Sequence, residues 1–148
     1  METKDLIYQF FSYFGLTQDQ IQIDQKDDSL TITLLVPPPD SGRYIGRFAT
    51  TLDSLQLILS LIINNGQEKH LYIQVDVGGY RAERLTTLES MADRLTQQVE
   101  SSGVAHEFPP LSAADRRAIH LLFKDNETLT TYSQGEGQDR RLVLAPKA

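Results

Sequence analysis

Cysteine is absent from this 148-residue chain. That excludes disulfides and thiolate zinc sites, so the fold must stand on its core alone. It also suits a reducing compartment. Long apolar runs are missing as well. The longest, Leu55 to Ile63, is interrupted by Gln56 and Ser60 and falls far short of the ~20 residues that cross a bilayer. Met1 to Lys4 is polar and charged, and Gln9 breaks the first apolar run, so no secretory signal is read at the N-terminus. These absences predict a soluble protein with no membrane insertion.

An excess of positive charge is missing too. Lys and Arg number 14 against 20 Asp and Glu, for a net charge of −6 and a pI near 5.0. Taken alone this argues against a nucleic-acid partner, because phosphate binding needs a basic footprint. The imbalance is uneven along the chain. Residues 1–77 hold 5 cations against 10 acids, whereas residues 78–148 hold 9 against 10. Any contact with phosphate must come from a local patch. What is present is ordinary globular material: 40% hydrophobic and 23% charged residues, enough for one large domain or two small ones.

Hydrophobic spacing orders the elements. Leu6, Ile7, Phe10, Phe11 and Phe14 predict an amphipathic helix over Asp5–Phe14, stopped by Gly15. Ile21 and Ile23, then Leu30, Ile32 and Leu34, alternate about the turn-like Lys26–Ser29 and predict a β-hairpin, ended by Pro37, Pro38 and Pro39. A turn through Ser41–Arg47 leads to a helix over Thr51–Ile63, with Leu52, Leu55, Ile58, Leu59 and Ile62 as its expected apolar face. Leu71, Ile73 and Val75 alternate as a third strand. Gly78-Gly79 is the expected boundary between domains 1–78 and 79–148. A long helix from Tyr80 to Glu100 follows, then a strand over Val104–Phe108. Ser112 caps a helix expected over Ala113–Lys124, anchored by Ala114, Ala118, Leu121 and Leu122. Strands Leu129–Ser133 and Arg141–Leu144 close the chain. The fold class is α+β, ordered α-β-β-α-α-β and then α-β-α-β-β.

The chemistry concentrates in Arg116-Arg117-Ala118-Ile119-His120. Arg116 and His120 lie four apart, one helical turn, and Lys124 extends the row. An arginine fork can grip a phosphate through two hydrogen bonds, and a histidine ring can stack on a base or donate to phosphate. The bland alternative is a solvated face on which Asp115 pairs with the cations. A second candidate is the loop Gly46-Arg47-Phe48-Ala49 with Arg43 before it. Tyr44 and Tyr80 are weaker stacking candidates, and Glu136 is either a reader in its loop or a carboxylate paired with Arg140 or Arg141. His70 and His106 have no metal-ligand partners at suitable spacing. No nucleophile, base and oxyanion set converges, so an enzyme is not expected.

These motifs carry a family resemblance. Arg116-x-x-x-His120 after Pro109-Pro110-Leu111-Ser112, then Thr130 to Gly137 and Arg140 to Pro146, resembles the R-three-H (Arg-x-x-x-His) domain of the SpoIIIJ-associated (Jag) family. Tyr80-Arg81 and the helix through Leu88, Met91, Ala92 and Leu95 fit as well, so the resemblance covers most of residues 80–148. The first half resembles a type II KH domain, in which a Gly-x-x-Gly loop between two helices clamps a nucleic-acid backbone. The run Thr51-Leu52-Asp53-Ser54-Leu55-Gln56 fits the Jag version. Here the second glycine is Ala49 and one middle position is Phe48, so the loop is degenerate. The additional N-terminal domain usual in that family is not read in this chain.

The resemblance implies a bacterial cytoplasmic regulator that binds single-stranded RNA, with single-stranded DNA less favoured, and that needs no cofactor, metal or small-molecule substrate. Arg116, Arg117, His120 and Lys124 would contact it, beside Ser133, Gly135, Glu136, Arg140 and Arg141. Arg43, Gly46, Arg47 and Phe48 would guide the same strand. The alternative it implies is an adapter whose KH domain mainly pairs with another KH protein or with a second copy.

Overall fold

The computed structural model describes all 148 residues. The chain divides into two compact units, Met1–Arg81 and Ala82–Ala148.

In the first unit, α1 (Thr3–Ser12) buries Ile7 and Phe11, one turn apart. Strands β1 (Ile21–Lys26) and β2 (Ser29–Leu34) form an antiparallel hairpin closed by Asp27-Asp28. The chain then runs through α2 (Ser41–Ile45) and α3 (Thr50–Asn64) to β3 (Tyr72–Val77). β3 joins β2 in parallel, giving the sheet order β1-β2-β3. In that register Leu30, Ile32 and Leu34 stand beside Ile73, Val75 and Val77, so both strands turn their apolar residues onto one core with Ile7, Phe11, Leu52 and Leu59.

The inner face of α3 is Leu52, Leu55, Leu59 and Ile63, spaced three, four and four apart. Ile58 and Ile62, expected in the core, are 47% and 43% exposed. Nearly every position from 55 to 63 is apolar, so periodicity alone cannot tell the inner face from the outer one. The free edge of β3 is closed by side chains. Asn64 exchanges two hydrogen bonds with the Leu71 backbone, at 2.8 and 2.9 Å. Gln56 Oε1 accepts from the Val75 N–H at 2.9 Å, and Arg81 Nε donates to the Val75 carbonyl at 3.0 Å. Such capping removes a row of backbone groups that would otherwise template another strand.

The segment Ser41–Asn64 has the length and mean hydropathy (24 residues, 1.2) of a membrane span. It is not one helix. Phe48 and Ala49 turn left-handed between α2 and α3. The 15 residues of α3 reach only about 22 Å, against a hydrocarbon core of about 30 Å.

The second unit takes nearly all of α4 (Tyr80–Ser102), whose Leu88, Ala92, Leu95 and Val99 form one buried stripe. β4 (His106–Glu107), β5 (Leu129–Gln134) and β6 (Arg141–Pro146) make an antiparallel sheet in the order β4-β6-β5. β4 is shorter than the expected Val104–Phe108, since only His106 and Glu107 find register with Leu144 and Val143. α5 (Ala113–Leu122) is capped by Ser112, whose hydroxyl accepts from the Asp115 N–H at 3.0 Å. Two expectations fail here. The helix stops at Leu122, which leaves Lys124 outside it. The core-facing residues are Ile119 and the C-cap Phe123, while Leu121 and Leu122 are 58% and 44% exposed. The Phe123 ring joins the core with Phe108, Leu111 and Leu142.

Candidate nucleic-acid interface

α5 turns Ile119 inward, which fixes the direction of the rest of the helix. Arg116, Arg117 and His120 then fall on its flank and outer face, with Arg116 half-buried and the other two exposed. They border a cavity of about 350 Å³. α5 supplies Ala113, Arg116, Arg117 and His120; β5 supplies Tyr132 and Ser133; Arg140 and Leu142 complete the wall. The cavity lies wholly within the second unit.

Each of these groups is held differently. Arg116 Nη1 donates to the Leu111 carbonyl at 2.7 Å, which holds one arm of its fork and leaves the other for a ligand. His120 Nδ1 is hydrogen-bonded to Thr131 Oγ1. Arg140 Nη1 donates to the Gly135 carbonyl at 2.9 Å. Gly135 has φ +87°, and a Cβ on it would meet the Asp139 carbonyl at 2.8 Å, so this turn requires glycine. Arg117 makes no hydrogen bond or ion pair within the protein.

No carboxylate lines the cavity. Asp115, the neighbour that might have neutralised it, is paired with Arg84 on α4 at 2.8 Å. Glu136 pairs with neither Arg140 nor Arg141; those arginines donate instead to the Gly135, Gln138 and Arg140 carbonyls. The carboxylate pairings set out from the sequence, Asp115 with the α5 cations and Glu136 with Arg140 or Arg141, are therefore not made. Three guanidinium groups and an imidazole line one cavity with no carboxylate among them. Guanidinium groups placed so have the chemistry to hold a phosphate.

Of the residues singled out from the sequence, Arg116, Arg117, His120, Ser133 and Arg140 meet at this cavity. Lys124, Gly135, Glu136 and Arg141 do not line it. Ala113, Tyr132 and Leu142 line it and were missed, as was Thr131 behind His120. Ser133 was read from a motif, but which other residues of β5 reach the cavity depends on the β5–β6 register (Ser133↔Leu142), which spacing does not reveal.

The second candidate group lies in the first unit. Gly46 has φ 74° and ψ 175°, a region essentially reserved for glycine, and a Cβ there would overlap Thr51 Oγ1. Phe48 and Ala49 follow with φ 56° and 60°. Ala49 thus adopts the backbone of a glycine without being one. The Arg47 guanidinium stands 5.3 Å from the centre of the exposed Phe48 ring, and that of Arg43 stands 5.7 Å from Tyr44. Tyr44 is not available for stacking, because it is buried and its hydroxyl donates to the Phe14 carbonyl at 2.9 Å. Tyr80 is partly buried against the same core.

Fold and site together define a mixed α+β protein whose second unit carries an R-three-H domain: residues 86–146 match the R-three-H domain family. Among curated relatives, the chain is 26% identical over 143 residues to the RNA-binding protein KhpB of Clostridium symbiosum, covering 97% of this chain and 64% of that one. It is 32% identical over 124 residues to the RNA-binding protein KhpB of Bacillus subtilis, covering 82% and 60% respectively. With the protein of that name from Streptococcus pneumoniae it shares 28% over 114 residues, covering 77% of this chain and 35% of the relative. The chain is homologous to these proteins and spans 35% to 64% of their length.

Proposed function

We propose that this chain is a non-enzymatic, cytoplasmic binder of single-stranded RNA and a post-transcriptional regulator. The R-three-H domain, taken as residues 79–148, would grip the strand at the α5–β5 cavity. The observation that carries the reading is the convergence of Arg116, Arg117, Arg140 and His120 on one cavity without a carboxylate. The names borne by the relatives support it. Residues 1–78, with the order α-β-β-α-α-β and the loop Gly46–Ala49 between two helices, fit a type II KH domain with a degenerate loop. Arg43, Arg47 and the Phe48 ring would guide the same strand. Two weak sites on one chain raise each other's effective concentration, which offsets the acidic background.

The test is a titration of short fluorescent single-stranded RNA of mixed sequence, with single-stranded DNA and duplex RNA in parallel. Salt-sensitive binding that favours the single-stranded RNA supports the reading. No binding at roughly micromolar protein and low salt, where even nonspecific binders saturate, contradicts it.

A second reading rests on α3. Leu57, Ile58, Leu61 and Ile62 stand exposed along its outer side, and no charged residue falls between Ser54 and Gln67. Two copies packed antiparallel along this ridge would bury apolar rows and bring no like charges together. Sedimentation velocity tests this: a concentration-dependent dimer that Leu61→Lys abolishes supports it. A monomer at all concentrations removes the second copy and directs attention to another KH-type partner.

A further inference from the structure

Thr131 is a buried polar side chain, 6% exposed. It stands on β5 opposite Leu144, on the strand face that carries the buried Leu129. A hydroxyl buried there needs a partner. It has a single one, His120 Nδ1. His120 itself is exposed at the cavity wall, so one ring nitrogen is engaged behind the site while the ring faces it.

The hydroxyl has one proton to place, and Nδ1 is the only acceptor in contact with it. The bond that satisfies both groups runs from Thr131 Oγ1–H to an unprotonated Nδ1. A neutral imidazole carries one proton, which must then sit on Nε2. We propose that Thr131 is a positioning residue that fixes both the orientation and the tautomer of His120, so that the ring presents Nε2–H to the α5–β5 cavity as a ready hydrogen-bond donor. Phosphate oxygens accept such a donor, and the adjacent guanidinium groups of Arg116 and Arg117 supply the charge. This inference rests on the RNA-binding reading for its consequence, but not for its geometry.

Two measurements test it. Long-range ¹H–¹⁵N NMR of the free protein, at a pH where the ring is neutral, should show His120 as the Nε2–H tautomer, and Thr131→Val should turn this into a tautomer mixture. A predominant Nδ1–H tautomer in the unmodified protein overturns the proposal. In RNA titrations Thr131→Val should lose about threefold to tenfold in affinity, the scale of releasing one ordered side chain. Thr131→Ser should retain it, and in a His120→Ala background Thr131→Val should change nothing further. Equal losses with and without His120 would mean that Thr131 acts on the fold and would overturn the positioning role. If no variant, nor the unmodified protein, binds RNA, the functional reading fails while the tautomer spectrum still decides the role of Thr131.

Discussion

Arg84 Nη2 donates to Asp115 Oδ2 at 2.8 Å, joining α4 to the first turn of α5 one residue before Arg116. The pair ties α5 to α4 and engages the carboxylate that precedes Arg116 in the chain. Both side chains are mostly buried, at 28% and 14% exposed. Removing one partner therefore leaves the other as a poorly solvated charge. Arg84→Met should cost about 2 kcal/mol of stability in urea unfolding, somewhat less than a fully buried pair would lose. Arg84→Met combined with Asp115→Leu should recover much of it. An Arg84→Met protein as stable as the parent would show that the pair does not hold α5.

Arg117 offers the cleanest separation of binding from folding. It is exposed and makes no bond within the protein, so Arg117→Ala should leave the unfolding midpoint unchanged. It should weaken RNA binding across sequences and flatten the salt dependence by about 0.7 in the log–log slope, the signature of one phosphate contact on a single strand. Arg116→Ala should also cost stability, because it removes the bond to the Leu111 carbonyl. Thermal melts and titrations at several salt concentrations distinguish the two.

The loop of the first unit is strained where a glycine is missing. Ala49 at φ 60° sits in the left-handed region, which disfavours side chains by about 1 kcal/mol or more. Ala49→Gly should raise stability by about that amount and tighten RNA binding if the loop touches the strand. Stability that rises while affinity stays the same would place the strand elsewhere. Gly46→Ala should be the opposite case, losing about 2 kcal/mol or more, because the new methyl group would strike Thr51 in a glycine-only conformation.

Much of this architecture is legible in the sequence, and the gaps have physical causes. Strands announce themselves by alternation, as in Leu30, Ile32 and Leu34, and α4 by the four- and three-residue spacing of its stripe. Faces are harder to read where apolar residues surround a helix. On α3 the surplus is Leu57, Ile58, Leu61 and Ile62; on α5 it is Leu121 and Leu122, whose spacing mimics the anchor that Ile119 and Phe123 provide. Arg116 and His120 are legible because four-residue spacing is local. Arg84–Asp115 and His120–Thr131 are not, since they join residues on different elements, 31 and 11 positions apart. The pairing of Asp115 decides whether the α5 cations are free, and only tertiary structure reveals it.

The proposed RNA-binding surface is formed by α5 and β5. Its most direct test is the affinity of Arg116→Ala/His120→Ala for single-stranded RNA at two salt concentrations, with circular dichroism to confirm that the variant is folded. The expected result is a folded variant that has lost most of its affinity and part of its salt dependence. A folded double variant that binds as tightly as the parent, with the same salt slope, would contradict it.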